Sequence, residues 1–187
     1  MTIFNMQNVG LTEWIAQESA LYSDLKVGLV SSQYKDLYKV ITENGELTAE
    51  ISGKFRFGAK SLADYPAVGD FVMLAPADQN NDHAIIRHIL PRKSLLTRKA
   101  AGTSNDVQVV AANIDTVFIC MALNNDFNLR RLERNLSIAW DSGAVPVVVL
   151  TKSDLCDNLP SRLCEVSSVA IGADVVSASG LSDDGFL

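Results

Sequence analysis

A carboxylate and a lysine stand at a position in the chain where ligands commonly bind. The polar residues Thr151, Lys152, Ser153 and Asp154 directly follow residues 145–150, a valine-rich run. Such a run predicts a parallel strand buried on both faces, and ligands bind at the carboxyl ends of such strands in open α/β sheets. The two acceptor oxygens of Asp154 lie in one plane, which suits a partner with two adjacent N–H donors. Guanine offers this pattern on its N1–H and N2–H₂ edge, whereas adenine has no such edge.

A second polar loop is expected beside the first. Strands are predicted over residues 115–123, 145–150 and 174–176, and helices lie between them, the first ended by Gly143 and the second over residues 160–170. Right-handed crossovers place all three strand ends at one edge of the sheet. Asn124, the segment ending in Asp154, and the residues Ser177, Ala178, Ser179 and Gly180 should therefore converge. The alternative is a solvated loop in which Asp154 caps the following helix.

The residues before this region predict a small barrel. Candidate strands cover residues 26–32, 37–42, 47–57, 70–74 and 84–90, with turn residues such as Asn44 and Gly45 between them. Five short strands suit an OB-fold, with an SH3-like barrel as the alternative. The predicted organisation is a helical extension over residues 1–23 with Thr12 as N-cap, a barrel over 24–92, a linker over 93–106 and an α/β part over 107–187.

The composition of the chain argues against several classes of protein. A net charge of −6 argues against a protein that coats nucleic acid non-specifically, although local basic patches are compatible with it. The sequence has no apolar stretch long enough for a membrane span and no signal-peptide pattern, so a cytoplasmic location is expected. Cys120, Cys156 and Cys164 form no CxxC pair and should be reduced thiols. His83 and His88 should face opposite sides of one strand, and we assign no metal ligand in this chain.

The two polar loops resemble the base-binding motifs of GTPases. Residues 151–154 resemble the [NT]KxD motif, and residues 177–179 resemble the second base loop, SA[KLS]. By this resemblance Asp154 accepts hydrogen bonds from guanine, the stem of Lys152 covers a face of the base, and the backbone N–H of Ala178 donates to O6. Thr151 stands where asparagine is commoner, which implies a lower affinity for guanine.

The order of the motifs indicates which group of GTPases the chain resembles. Neither GxxxxGK[ST] nor DxxG occurs in the sequence, and a barrel precedes the base loops. This order resembles circularly permuted GTPases, and specifically the ribosome-small-subunit-dependent GTPase family of the RsgA/YjeQ type. Further similarities lie in residues 66–72, 92–98, 112–115 and 127–134.

That resemblance implies an OB-fold domain followed by a circularly permuted P-loop GTPase domain and a zinc-binding domain. It also implies a monomeric factor that binds GTP and GDP, hydrolyses GTP on the small ribosomal subunit, contacts its rRNA and assists its late maturation, without attachment to a membrane. The chain is expected to be an amino-terminal portion truncated before the P-loop. It should contain no catalytic residue and be inactive alone, with Mg²⁺ and a structural Zn²⁺ present only in the full-length protein.

Two basic segments are candidates for RNA contact. Lys54, Arg56 and Lys60 interleave with Phe55 and Phe57 on the predicted strand over 47–57, and OB-folds use such faces to bind nucleic acid. Alternation would also allow both phenylalanines to fill the barrel, which remains the alternative. The second segment holds Arg92, Lys93, Arg98 and Lys99, which are expected to contact rRNA phosphates or to form a solvated linker.

Two other functions remain open. The runner-up is a non-enzymatic OB-fold module for RNA binding or protein interaction, whose α/β part serves as a scaffold. A flavodoxin-like nucleotide-binding domain is the third possibility, but the sequence has no phosphate-binding glycine loop to support it.

Overall fold

The computed structural model describes residues 5–76, 83–99, 107–182 and 185. The predicted turn over 78–82, residues 100–106 of the predicted linker and the side chain of Lys99 lie outside the described part. The chain divides into two compact units, residues 1–113 and residues 114–187. No helix in the described ranges is long and apolar enough to cross a membrane.

Five strands of the first unit close into a barrel. They are β1 (Lys26–Gln33), β2 (Tyr38–Thr42), β3 (Gly45–Ile51), β4 (Phe71–Ala75) and β5 (Ala84–Ile89). Their order around the barrel is β1-β2-β3-β5-β4, and only the β3–β5 pair is parallel. This is the OB arrangement, so the prediction of an OB-fold is confirmed over the SH3-like alternative.

The amino-terminal extension packs on this barrel. Its helix α1 covers Glu13–Ala20, and the hydroxyl of Thr12 accepts a hydrogen bond from the backbone N–H of Ile15 at 3.4 Å, which confirms the predicted N-cap. Ile15 is buried in a cluster with Phe71 and Leu90. The extension is therefore anchored through apolar burial.

The predicted strand over 47–57 is wrong beyond Ile51. Helix α2 (Gly53–Gly58) follows, and the Ser52 hydroxyl caps it by accepting from the backbone N–H of Phe55 at 3.0 Å. Helical geometry sends Phe55 and Phe57 to opposite sides. Phe55 packs against the barrel core, whereas Phe57 is 95% exposed, so the alternative in which both phenylalanines fill the barrel is also wrong.

Part of the predicted linker is a β-ribbon. Strand β6 (Leu95–Lys99) pairs antiparallel with β7 (Val107–Ala112), and the two units divide only after Asn113. The prediction instead placed residues 107–113 with the α/β part. The register shifts between Leu96 and Thr97, where Val110 is the extra residue on β7.

A buried ion pair fixes the segment between α2 and β4. The side chain of Asp70 is fully buried and accepts from Arg92 at both oxygens, with Nε–Oδ1 and Nη2–Oδ2 distances of 2.7 Å. Arg92 also donates to the backbone carbonyls of Ala63 at 2.7 Å and Tyr65 at 2.9 Å. Two parallel hydrogen bonds make this the strong form of the arginine–carboxylate pair.

The end of β7 closes the same region. Asn113, with a positive φ of 56°, donates through its side-chain amide to the carbonyl of Gly69 at 2.9 Å and accepts from the backbone N–H of Lys93 at 2.9 Å. Gly69 has a φ of +89°, and a Cβ at this position would lie 2.1 Å from the carbonyl oxygen of Ala112. Only glycine fits this position, because both the backbone conformation and the space exclude a side chain.

The second unit is a parallel α/β sheet. Its elements are β8 (Thr116–Ala122), α3 (Leu129–Asp141), β9 (Val145–Thr151), α4 (Leu159–Val169) and β10 (Asp174–Ala178), with strand order β10-β9-β8. Asn128 caps α3, and Gly143 follows its end with a φ of +83°. This confirms the predicted alternation of strand and helix.

The sheet of the second unit is covered by helices on one face. Leu132 of α3 and Val166 of α4 are buried in the same cluster as Val148 of β9. On the opposite face Phe118 is 66% exposed and Val145 is 55% exposed. The prediction that β9 is buried on both faces is therefore wrong for the described structure, because both helices pack on the same side.

Candidate functional site

The carboxyl ends of the three parallel strands meet at one edge of the sheet. Thr151 pairs with Ala122 of β8 on one side and with Ala178 of β10 on the other. The backbone N–H of Leu123 donates to the carbonyl of Thr151 at 2.8 Å, which joins the loop after β8 to the end of β9. The predicted convergence of the three strand ends is confirmed.

The loop after β9 holds its side chains in a tight turn. Lys152 adopts the left-handed conformation with φ +58°, which is uncommon for a residue with a side chain and often marks a functional loop. A 3-10 turn over Ser153–Leu155 follows, and the side chains of Lys152 and Asp154 are exposed. Asn158 caps α4 by accepting from the backbone N–H of Ser161 at 3.1 Å, so the alternative in which Asp154 caps that helix is wrong.

A short hydrogen bond joins the two predicted base loops. The hydroxyl of Ser179 donates to Oδ1 of Asp154 at 2.5 Å, and the Ser179 side chain is completely buried. The same hydroxyl oxygen accepts from the backbone N–H groups of Leu181 at 3.1 Å and Ser182 at 3.4 Å. These contacts fix the direction of the hydroxyl proton and hold the carboxylate in place. Because a carboxylate has about four lone-pair sites, Asp154 retains the capacity to accept from two adjacent N–H donors.

Sequence reasoning placed Ser179 in the second base loop but did not assign it this contact. The two partners lie 25 positions apart in the chain, and their meeting depends on the parallel register of β9 and β10. The available signal was the position of Ser179 immediately after a predicted strand that neighbours β9. Ser177 is partly buried and Ala178 is buried at the end of β10.

A second ion pair shapes the electrostatics of this edge. Arg131 of α3 donates to both carboxylate oxygens of Asp126, at 3.0 and 2.8 Å. This hydrogen bonding and the charge of Arg131, with a smaller contribution from the charge of Lys152, hold the pKa of Asp126 below its usual value. The Asp126 carboxylate therefore stays ionised beside Lys152.

Most of the predicted RNA-contacting residues are exposed, but Arg92 is not available. Lys54, Arg56 and Lys60 lie on α2 or just after it, and Arg56 forms an exposed ion pair with Asp36 at 3.2 Å. All the contacts of the Arg92 guanidinium described above are within the protein, and its side chain is 17% exposed. Arg92 is a structural residue, which corrects its assignment to RNA contact.

The second basic segment otherwise faces solvent. Lys93 is exposed, and Arg98 is exposed on β6, where its Nε donates to the side chain of Gln108 at 3.1 Å. Lys99 ends β6, and its side chain lies outside the described part. Lys93 and Arg98 therefore remain candidates for RNA contact, and Lys99 remains a prediction from the sequence alone.

The described ranges contain no group of three or more His, Cys, Asp and Glu side chains placed to hold a metal ion. Cys120, Cys156 and Cys164 form no disulfide in the described part of the chain. Cys120 is exposed on the uncovered face of β8.

Comparison with known proteins relates this geometry to one family. Residues 89–186 match the family model described as RsgA GTPase. The small ribosomal subunit biogenesis GTPase RsgA 2 of Lactiplantibacillus plantarum is 46% identical over 179 residues, which cover 96% of this chain and 50% of that protein. A protein named RsgA 1 from Listeria innocua is 39% identical, with 97% of this chain and 49% of the relative covered. The chain thus spans about half the length of these relatives.

Solved structures agree with this relationship. The crystal structure of YjeQ from Thermotoga maritima superposes with a TM-score of 0.61 at 26% identity, covering 83% of this chain and 52% of that chain. YloQ, described as a circularly permuted GTPase, superposes with a TM-score of 0.59 at 20% identity, covering 87% of this chain and 54% of that chain. The second likeness supports the fold alone.

Proposed function

This chain belongs to the RsgA GTPase family, and we propose from that premise that it carries the guanine-reading half of a GTP-binding and GTP-hydrolysing factor. In this proposal the full-length protein is a cytoplasmic monomer that binds the small ribosomal subunit and assists its late maturation. The observation that supports guanine reading is the contact between Ser179 and Asp154, which joins two loops at the carboxyl edge of a parallel sheet.

Each loop contributes a separate interaction with the base. Asp154 accepts from N1–H and N2–H₂ of guanine, and the aliphatic stem of Lys152 covers one face of the ring. The backbone N–H of Ala178 donates to O6, while Thr151, Ser153, Ser177 and Ser179 shape the two loops. A bidentate pair of this kind contributes about 1–3 kcal/mol of base discrimination. Adenine presents no pair of adjacent N–H donors to the carboxylate and therefore does not gain this contribution.

The 187-residue chain alone is expected to release no phosphate from GTP above the buffer background. Its sequence contains no GxxxxGK[ST] motif, so it lacks the backbone amides, lysine and Mg²⁺ ligand that stabilise charge on a transferring phosphoryl group. Phosphate release would be followed with small ribosomal subunits present and absent. The full-length protein serves as the comparison and should turn over GTP when the subunit is present. The expectation would be contradicted if small subunits stimulated phosphate release by the 187-residue chain and an Asp154→Ala variant lost this release.

We also propose that α2 presents an RNA-contacting surface. Lys54, Arg56 and Lys60 are exposed beside Phe57, and this combination of cations with an exposed ring suits RNA phosphates and unstacked bases. Lys93, Arg98 and Lys99 form a second proposed set of phosphate contacts on and before β6.

Reversing the three charges of α2 tests this surface. A variant with glutamate at positions 54, 56 and 60 should bind small subunits more weakly. The slope of its log affinity against log salt concentration should be less negative by about 2–3. Binding would be measured by co-sedimentation over a range of salt concentrations. Reversal of Arg130 and Arg134, which are exposed on α3, is the control for a general charge effect. Equal losses in the two variants would argue against a specific surface on α2.

A further inference from the structure

A cavity of about 730 Å³ opens on the barrel domain, away from both base loops in the sequence. Its walls come from residues 21–25 after α1, from Ser52 and α2, and from the end of β5. All of these residues belong to the first unit. Sites for small ligands and single nucleotides commonly fall in the range of about 300–1,000 Å³.

Stacked aromatic rings form part of this cavity. The ring centroids of Tyr22 and His88 lie 4.6 Å apart with an interplanar angle of 29°. His88 is exposed and Tyr22 is half-buried, so the stack runs from the protein towards solvent. Phe55 also lines the cavity from α2. Rings presented in this way are stacking platforms for unpaired bases.

A β-bulge brings a cation into the same cavity. Between β4 and β5, Leu74 pairs with Ile86 and Met73 pairs with His88, so Arg87 is the extra residue. Consecutive side chains of a regular strand point to opposite faces, but a bulge changes their direction. Arg87 and His88 consequently line one cavity although they are neighbours in sequence.

Two cations line the cavity and can hold an anionic group beside the rings. Lys54 and Arg87 contribute cations, and neither forms an ion pair within the described ranges. Two carboxylates, Asp24 and Asp64, also line it. Asp64 is engaged by the backbone N–H groups of Lys60 and Ser61 at 2.8 Å each, and these bonds lower its pKa. The Asp64 carboxylate therefore stays ionised, and its Oδ2 atom accepts both of these bonds.

We propose that this cavity binds one unpaired nucleotide of an RNA strand, with the base stacked on His88 and the adjoining phosphate held by Lys54 and Arg87. The proposal builds on the proposed function, because the small subunit is the source of that RNA. Base stacking is thereby assigned to His88, which residue spacing alone does not single out.

The test measures the binding of fluorescein-labelled oligo(A) RNA by anisotropy. His88→Ala should weaken binding by about 5- to 150-fold and leave its salt dependence unchanged, because stacking on an aromatic ring is lost without loss of a phosphate contact. His88→Phe should retain binding within about twofold, because the ring remains. Arg87→Gln should weaken binding and reduce the salt slope by about 0.7. Arg134→Gln on α3 controls for the loss of one positive charge.

The nucleotide site and small-subunit binding can fail independently in these measurements. Unchanged oligo(A) affinity in His88→Ala, or equal losses in His88→Ala and His88→Phe, would overturn the nucleotide site, even if the wild-type chain still binds small subunits. If His88→Ala loses subunit binding and keeps RNA binding, the cavity holds a ribosomal protein instead, which also overturns the proposal. Wild-type chain that binds oligo(A) through His88 and does not bind small subunits would support the site and contradict the proposed function. Circular dichroism of each variant confirms that the barrel is folded.

Discussion

Replacing Asp154 by asparagine is expected to change the base preference of the full-length protein from guanine to xanthine. The amide accepts from N1–H through its oxygen and donates through its nitrogen to the C2 carbonyl of xanthine, but it cannot accept from both N–H groups of guanine. The affinity for GTP should fall by about 5- to 150-fold, corresponding to about 1–3 kcal/mol, and the affinity for XTP should rise. Titration calorimetry with GTP and XTP measures both changes.

Two further variants separate base recognition from loop structure. Asp157→Asn removes an exposed carboxylate three residues away in the same loop and should leave both affinities unchanged. Ser179→Ala removes the hydroxyl that holds Oδ1 of Asp154 and should weaken GTP binding without creating a preference for XTP. Unchanged GTP affinity in Asp154→Asn would rule out the contact between Asp154 and the base.

Replacing Arg92 by methionine is expected to destabilise the barrel by about 3–5 kcal/mol. The methionine fills much of the space of the arginine stem but leaves the fully buried carboxylate of Asp70 without its bidentate partner. Removal of one member of a buried ion pair is expensive because the remaining charge is uncompensated. Urea unfolding, followed by the fluorescence of Trp14 in a Trp140→Phe background, measures the free energy of unfolding.

The chain offers a matched control for this ion pair. Arg56 pairs with Asp36 at the surface, and both side chains are more than half exposed. Arg56→Met should therefore change the free energy of unfolding by less than about 1 kcal/mol. The Asp70→Asn/Arg92→Met double variant should be less destabilised than the sum of its two single variants, because the buried charge has been removed. If Arg92→Met lowered the free energy of unfolding no more than Arg56→Met does, the ion pair between Arg92 and Asp70 would contribute little to stability.

The candidate site was predictable because its signals are local and its assembly follows a general rule. A valine-rich run before Thr151 predicts a strand, and the handedness of the crossovers brings Ser177 to the same edge. The bond between Ser179 and Asp154 was not predictable, since it depends on the exact parallel register of two strands. Burial of β9 on both faces was expected because valine occupies both sets of alternating positions, and a pattern cannot show on which face the helices pack.

The fold was less predictable where tertiary contacts override a local pattern. The Phe-Arg-Phe sequence over residues 55–57 alternates as a strand would, but the Ser52 cap and the packing of Phe55 on the barrel stabilise a helix. No sequence pattern predicts the bulge at Arg87. The spacing of Arg87 and His88 therefore could not show that both side chains line the same cavity. Arg92 looked like one more cation of a basic segment, because its partner Asp70 lies 22 residues earlier.

The contacts at the end of β7 tie the β6–β7 ribbon to the barrel. The last barrel strand ends at Ile89, yet the segment before β4 is held by Arg92, by Asn113 and by a hydrogen bond from the backbone N–H of Ala112 to the carbonyl of Val68 at 2.8 Å. A barrel cut directly after Ile89 would expose Gly69 and leave the carboxylate of Asp70 unpaired. The barrel and the β6–β7 ribbon should consequently unfold as one cooperative unit that ends at Asn113.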